Sequence, residues 1–278
     1  MHEKTAGEAH RSPPPLPPLP GWITAASDET LESAAFRSGA ALAYLSLATA
    51  TGDVPTALWR DRLAVLAAEV CVGFAGRRER VGTMRDALHL AWPGDDPGPA
   101  GRVLRQWSRA VARPISVAGL ARALEGVTPE RIALCLDAAG AAPVGKAARV
   151  IEAVLADSPH GETAALILAD AVLARSLGGS HVLPLLSLAL TARDLRLRGD
   201  DLRLACHRAA LRGVGQALPI AGDLVRAAAR LRAVVPKLRA KGGRAGGGDV
   251  FVARCACPRG AGPSDTGQPF GPCRAAAV

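Results

Sequence analysis

The feature that most limits what this chain can fold into is its abundance of two helix-forming residues, with 57 alanines and 35 leucines among 278 residues. Alanine and leucine are among the residues that cost least in an α-helix. Aromatic side chains, which are enriched in strands, make up only 3% of the sequence. From Leu31 to Leu45 the apolar residues recur at spacings of three, four and seven, as on a helix with one buried face. We predict an all-α fold, arranged as an irregular multi-helix bundle or array.

Start and stop signals place some of these helices. The periodic segment that begins near Asp28 ends at Gly52. Residues 128–130, Thr-Pro-Glu, form a helix start in which threonine caps, proline takes the first helical position and glutamate faces the positive end of the helix dipole. Residues 182–190 fit either a buried helix or a short extended piece. We expect Pro219 to separate or kink two final helices.

Prolines and glycines mark the ends of the predicted domain. The eight residues 13–20 include six prolines, which favour polyproline II over helix. We interpret them as a spacer that sets the entry of Trp22 into the core, with a ligand for an aromatic groove as the alternative. Nine glycines without an apolar period follow Lys241. The predicted organisation is a disordered lead-in over 1–21, a helical domain over 22–241 and a disordered tail over 242–278.

The charge and the apolar stretches indicate a compartment. The net charge is +9, and residues 237–278 hold seven basic residues against two aspartates. The first residues lack the apolar core of a signal peptide. The longest apolar stretches, of about 11 residues, fall short of the ~20 that span a bilayer. Six scattered cysteines suit a reducing environment. We expect a cytoplasmic protein with no membrane partner.

No residue pattern predicts a catalytic residue, a metal site or a cofactor. The six histidines are dispersed and none forms a His-Glu-x-x-His motif. Cys255, Cys257 and Cys273 miss the ligand spacing of zinc sites, and no histidine follows them. The glycine-rich residues 242–248 lack the Gly-Lys-Ser/Thr ending of a phosphate-binding loop. The sequence therefore leaves open whether the protein is an enzyme.

Asp170 stands out because apolar residues surround it in a predicted helix over residues 162–177. An ionised carboxylate that is buried without a partner costs several kcal/mol, so Asp170 must be paired or exposed. We expect an arginine from a neighbouring helix to pair with it. The alternative is an acid–base role, which would require Asp170, Asp86 or His207 to converge in one pocket.

The last predicted helix has a basic face. Its cationic residues recur at spacings of four, seven and four, while leucines and valines line the opposite side. Such a face can neutralise phosphates, although charge on the outer face of an amphipathic helix usually only solvates it. The candidate nucleic-acid contacts in helix 222–241 are Arg226, Arg230, Lys237, Arg239 and Lys241.

Four segments carry a family resemblance. They are Pro-Pro-Leu-Pro-Gly-Trp at 17–22, Met-Arg-Asp-Ala at 84–87 with the proline- and glycine-rich turn at 93–101, Leu-Ala-Asp-Ala-Val-Leu-Ala at 168–174, and Pro-Lys-Leu-Arg-Ala-Lys-Gly at 236–242. Together they resemble the bacterial domain-of-unknown-function 1403 family. The resemblance implies a mainly helical protein of unassigned function, similar to proteins of alphaproteobacteria. After Gly242 the sequence departs from the family pattern, and we predict a frameshift or truncation near codon 243.

These features favour a non-enzymatic helical scaffold or interaction module with an unidentified protein partner. The alternative is a nucleic-acid-binding protein that uses the basic helix 222–241. The two hypotheses differ in salt dependence, because affinity that rests on phosphate contacts falls steeply with salt.

Overall fold

The computed structural model describes residues 16–25, 30–50, 52–90, 92, 95–140 and 142–240, with the backbone alone at residues 89 and 236–240. Over these residues the fold is all-α, as predicted, and the extended pairing consists of one isolated antiparallel bridge between Pro114 and His181. The helices are α1 (Gly21–Thr24), α2 (Leu31–Thr49), α3 (Thr56–Phe74), α4 (Val81–His89), α5 (Gly98–Ala112), α6 (Val117–Ala123), α7 (Pro129–Leu136), α8 (Pro143–Asp157), α9 (Glu162–Ser176) and α10 (Gly199–Ala240). A 3-10 helix, Asp194–Arg196, precedes α10. Within the described ranges, no helix has both the length and the apolar character that crossing a bilayer requires.

The helix starts follow local side-chain chemistry. The Thr30 hydroxyl accepts the amide of Ser33 and caps α2. The Thr128 hydroxyl likewise accepts the amide of Arg131, and Pro129 is the first residue of α7. These bonds satisfy amides that have no partner inside the helix. The predicted start of α7 is confirmed.

Helix α9 lies at the centre of the core. Every residue from 165 to 174 is buried, which explains why this helix is apolar on all sides. Helix α8 packs against α9, and α5 packs against α3. The indole N–H of the buried Trp107 donates to the Cys71 sulfur at 3.4 Å, and that of Trp59 donates to the Ala217 carbonyl at 3.0 Å. Both tryptophans therefore keep a polar partner in an apolar interior.

The structure differs from the sequence-based expectations at Pro219 and at residues 182–190. Pro219 does not separate two helices, because α10 continues through it. Leu218 and Ala221, on either side of the proline, are both buried in the core, and this packing compensates for the one amide that proline lacks. Residues 182–190 form no helix but an irregular segment in which most side chains are buried.

The proline-rich lead-in is anchored from Leu16 onward. Residues 16–20 are not helical, and the Tyr44 hydroxyl donates to the Pro17 carbonyl at 3.1 Å. The expectation that Trp22 enters the core is wrong. Trp22 is 56% exposed, and its neighbour Ile23 is the buried residue.

The chain divides into two compact units, residues 1–230 and residues 231–278. The described part of the second unit is residues 231–240, in which Leu231 and Val234 are exposed. Of the residues predicted to be disordered, 1–21 and 242–278, the structure describes only 16–21, and the rest lie outside the described residues. The domain boundaries at 21 and 241 stay predictions.

Candidate interaction site

The basic residues predicted on α10 are only partly described. Arg226 is exposed and pairs with the Asp223 carboxylate one turn earlier. Arg230 is exposed as well. The side chains of Lys237 and Arg239 and the whole of Lys241 lie outside the described residues. The nucleic-acid interface therefore stays a prediction.

Asp170 is fully buried, and its partner is not the arginine that we expected. Oδ1 accepts the amides of Leu185 at 3.1 Å and Leu186 at 2.9 Å. Oδ2 accepts the Ser187 amide at 3.3 Å and its hydroxyl at 2.7 Å. Four donors thus satisfy the carboxylate without a cation. The arrangement ties the irregular segment 182–190 to α9.

The groups that an acid–base mechanism would need are kept apart. Burial raises the pKa of Asp170 to about 6, although its four hydrogen bonds act in the opposite direction. Asp86 is exposed on α4, while His207 is buried and bonded to the Ser38 hydroxyl at 2.7 Å. Among the described residues these three side chains make no hydrogen bond with one another. The geometry gives Asp170 a structural role.

The buried cysteines are poor nucleophiles. Burial raises the pKa of the Cys71 and Cys206 thiols to about 12. Thiolates, the reactive form, are therefore scarce at neutral pH. Over the part of the chain that the structure describes, no three acidic, histidine or cysteine side chains group as a metal site would require. Cys255, Cys257 and Cys273 lie outside that part.

Helix α2 exposes an apolar face, which we call the α2 stripe and define as Phe36, Ala40, Ala43 and Leu47. Phe36 is 67% and Leu47 is 73% exposed, whereas Leu42 and Leu45 of the same helix are buried. The ring of Trp22 lies 5.8 Å from that of Phe36, centroid to centroid, and extends the apolar surface. Large apolar residues that share one exposed face mark a contact surface more often than isolated ones do.

An apolar groove of about 330 Å³ lies beside the α2 stripe, and Ala43 belongs to both. Its other side includes Pro143, at the start of α8, and Leu177, after α9. His207 also lines this groove. Burial, together with the positive charge of Arg203, lowers the pKa of His207, so the imidazole is neutral at pH 7. The apolar surface thus extends from α2 to the start of α8 without a charged group at His207.

Sequence reasoning missed the α2 stripe. The signal was present, because Phe36, Ala40, Ala43 and Leu47 are spaced four, three and four apart. That spacing coexists on α2 with the core-facing series that contains Leu42 and Leu45. Periodicity identifies apolar faces, but it does not say which of two such faces is covered.

Comparisons with known proteins give a family without an activity. A family model described as "Protein of unknown function (DUF1403)" matches residues 8–261. No curated protein and no solved structure matches the chain. The family match continues past Gly242 to residue 261, and the frameshift near codon 243 stays a prediction.

Proposed function

Because the chain belongs to the DUF1403 family, whose description assigns no activity, we propose a function from its own surface: the protein is a non-enzymatic interaction module that pairs with a second copy of itself through the α2 stripe. The observation that carries this proposal is the exposure of Phe36 and Leu47 on one face of a well-packed helix. Each of these side chains would contribute about 1.5–3 kcal/mol of favourable free energy if it were buried in a contact.

The spacing of the stripe suits a helix–helix contact. Intervals of four, three and four residues are those of the a and d positions in a coiled coil, whose side chains face a partner helix. From Phe36 to Leu47 the stripe is about 17 Å long at the helical rise of ~1.5 Å per residue. Between Glu32 and the end of α2 the exposed face carries no charged side chain other than Arg37. The stripe is therefore apolar along its length, although Ala40 is half-buried against the core.

The order of the residues along the α2 stripe favours a second copy of the chain as the partner that binds it. Large residues stand at both ends of the stripe and alanines stand between them. In an antiparallel pair, Phe36 lies opposite Leu47 of the second copy, and Ala40 lies opposite its Ala43. A contact about a two-fold axis requires such self-complementarity. The central alanines let the two helices approach closely.

Sedimentation of the full chain tests the pairing. We expect a dimer that dissociates on dilution, and we expect Phe36→Lys and Leu47→Glu each to weaken it about tenfold or more, because a charge then faces an apolar seam. The control is Leu134→Lys, since Leu134 is 66% exposed on α7, away from the stripe. This variant should dimerise as the wild type does. A wild-type chain that stays monomeric at about 100 µM would overturn the proposal.

The double variant Phe36→Lys/Leu47→Glu tests the antiparallel order. In that order lysine meets glutamate twice, so the double variant should dimerise more tightly than either single variant. In a parallel pair lysine would meet lysine, and the double variant would be the weakest of the three. That result would contradict the antiparallel arrangement.

A nucleic-acid role for α10 is the second candidate. Arg230 favours it, because it is exposed and makes no ion pair with the described residues. We expect the affinity for a nucleic-acid duplex to fall steeply as salt concentration rises. The variant Arg230→Gln should reduce the slope of log affinity against log salt concentration by about one. The matched control is Arg122→Gln, an exposed arginine on α6. Weak binding that is insensitive to Arg230 would remove this candidate.

A further inference from the structure

A second cavity, of about 210 Å³, lies among α2, α3 and the residues that follow α9. Most of its lining is apolar, including Leu42, Leu45, Leu173 and Leu183. Ligand pockets of drug size usually hold about 300–1,000 Å³, so this cavity suits a smaller molecule.

Arg60 supplies a positive charge to this cavity. It is half-buried on α3, and its Nε donates to the Val111 carbonyl at 3.2 Å, which fixes the side chain. Its guanidinium forms no ion pair with Asp61 or with any other carboxylate of the described residues. Both terminal nitrogens therefore keep donors for a ligand. The carboxylate of Asp61, the next residue, attracts Arg60 electrostatically but forms no ion pair with it, and burial lowers the pKa of Arg60.

His181 adds a neutral hydrogen-bond donor beside Arg60, and the Ser180 hydroxyl bonds to its ring. The Ile115 amide donates to the Ser180 carbonyl at 2.8 Å, and His181 forms the isolated bridge with Pro114, so the backbone holds both residues in place. The Ser180 hydroxyl lies 2.9 Å from His181 Nδ1. Burial, followed by the positive charge of Arg60, lowers the pKa of His181, and the imidazole is neutral at pH 7. When the hydroxyl donates to Nδ1, the ring carries its hydrogen on Nε2 and can donate it.

We propose that this cavity binds a small aliphatic carboxylate, with Arg60 receiving the carboxylate group and the leucine-rich wall receiving the hydrocarbon chain. Among the residues that line the cavity, Arg60 contributes one positive charge and Ser180 and His181 contribute none, which matches the single negative charge of a carboxylate. The planar guanidinium matches the two carboxylate oxygens. A phosphate monoester, with about −1.5 to −2 at pH 7, would exceed the charge of the site. No residue of the α2 stripe lines this cavity, although Leu42, Ser46 and Leu177 line both the cavity and the groove beside the stripe.

Calorimetric titration of the full chain with four octyl probes tests the ligand class. Octanoate, n-octanol, octylamine and octyl phosphate share one chain and differ in the head group. We expect octanoate to bind most tightly and octylamine to bind least. Equal binding of octanol would overturn the role of Arg60, tighter binding of octyl phosphate would overturn the carboxylate assignment, and no octanoate binding would overturn the site.

Substitution of Arg60 tests the residue. Arg60→Met keeps much of the side-chain volume and removes the charge, and we expect octanoate affinity to fall about tenfold or more. Arg60→Lys keeps the charge and should lose less. The matched control is Arg62→Met, because Arg62 is exposed on the same helix and does not line the cavity. Equal affinity in Arg60→Met and Arg62→Met would contradict the proposal, and a thermal melt of each variant confirms that it is folded.

Discussion

The hydroxyl of Ser187 donates a 2.7 Å hydrogen bond to the buried carboxylate of Asp170. Three successive backbone amides, from Leu185 to Ser187, donate to the same carboxylate. The segment around them is irregular and buried, so its amides have no helical or strand partner. Asp170 supplies the missing acceptors from within α9, and the central helix of the core thereby fixes the path of a segment without regular structure.

Asp170→Ala should destabilise the protein strongly. The variant leaves the amides and the Ser187 hydroxyl buried without an acceptor, and each unsatisfied donor costs about 1–3 kcal/mol. We expect a loss of about 3–5 kcal/mol in the free energy of unfolding, measured by urea denaturation. Ser187→Ala removes one donor of the set and should cost about 1 kcal/mol. Equal losses in the two variants would contradict the anchoring role of Asp170.

The free energy of unfolding should depend on pH, because the pKa of Asp170 differs between the folded and the unfolded chain. Its pKa is raised from 3.8 to about 6, so between these values the folded chain holds a proton that the unfolded chain has lost. The contribution of Asp170 therefore decreases as pH rises from about 4 to 6 and is constant above, by about 2–3 kcal/mol in total. Urea denaturation across this range, with the wild type compared with Asp170→Asn, isolates the effect. A difference between the two chains that is independent of pH would contradict it.

The helices that could be predicted are those with local signals. The periodicity of α2 and the cap at Thr128 act over a few neighbouring residues, so a single sequence contains them. The partners of Asp170 lie 15 to 17 residues further along, in a segment without a period. A buried charge needs compensation, which is the reason that the sequence predicts an arginine partner. Backbone amides compensate the charge instead. Because nearly every residue has such an amide, a sequence does not show which ones will bind the carboxylate.

The continuity of α10 and the α2 stripe show a second limit. Proline weakens a helix locally, but Leu218 and Ala221 on either side of Pro219 are held by tertiary packing. The exposure of Phe36 and Leu47 likewise depends on which elements cover α2, not on the sequence of α2 itself. The nucleic-acid contacts predicted on α10 depend on the placement of long side chains, which a helical period does not give.

His207 should make the fold sensitive to mild acid. Burial and the charge of Arg203 lower its pKa from 6.5, and its Nδ1 bonds the Ser38 hydroxyl. Below about pH 6.5 the unfolded chain binds a proton that the folded chain resists, so stability decreases as pH falls through this window. His181 acts in the same direction. Thermal melts between pH 6 and 7.5, above the range in which Asp170 acts in the opposite direction, should therefore show a weaker pH dependence in His207→Gln than in the wild type, and identical slopes would contradict this.

Two glycines of α10 should respond to alanine in opposite directions. A Cβ at Gly213 would lie 2.8 Å from the Leu185 carbonyl carbon and closer still to its oxygen. Leu185 cannot withdraw easily, because its amide is held by Asp170. We expect Gly213→Ala to cost about 3 kcal/mol. Gly215, two residues later, is exposed and has no atom within 4 Å of such a Cβ, so Gly215→Ala should stabilise the helix by about 0.5–1 kcal/mol. Urea denaturation of both variants measures the contrast, and stabilisation by Gly213→Ala would show that α10 does not approach the 182–190 segment as closely as the structure places it.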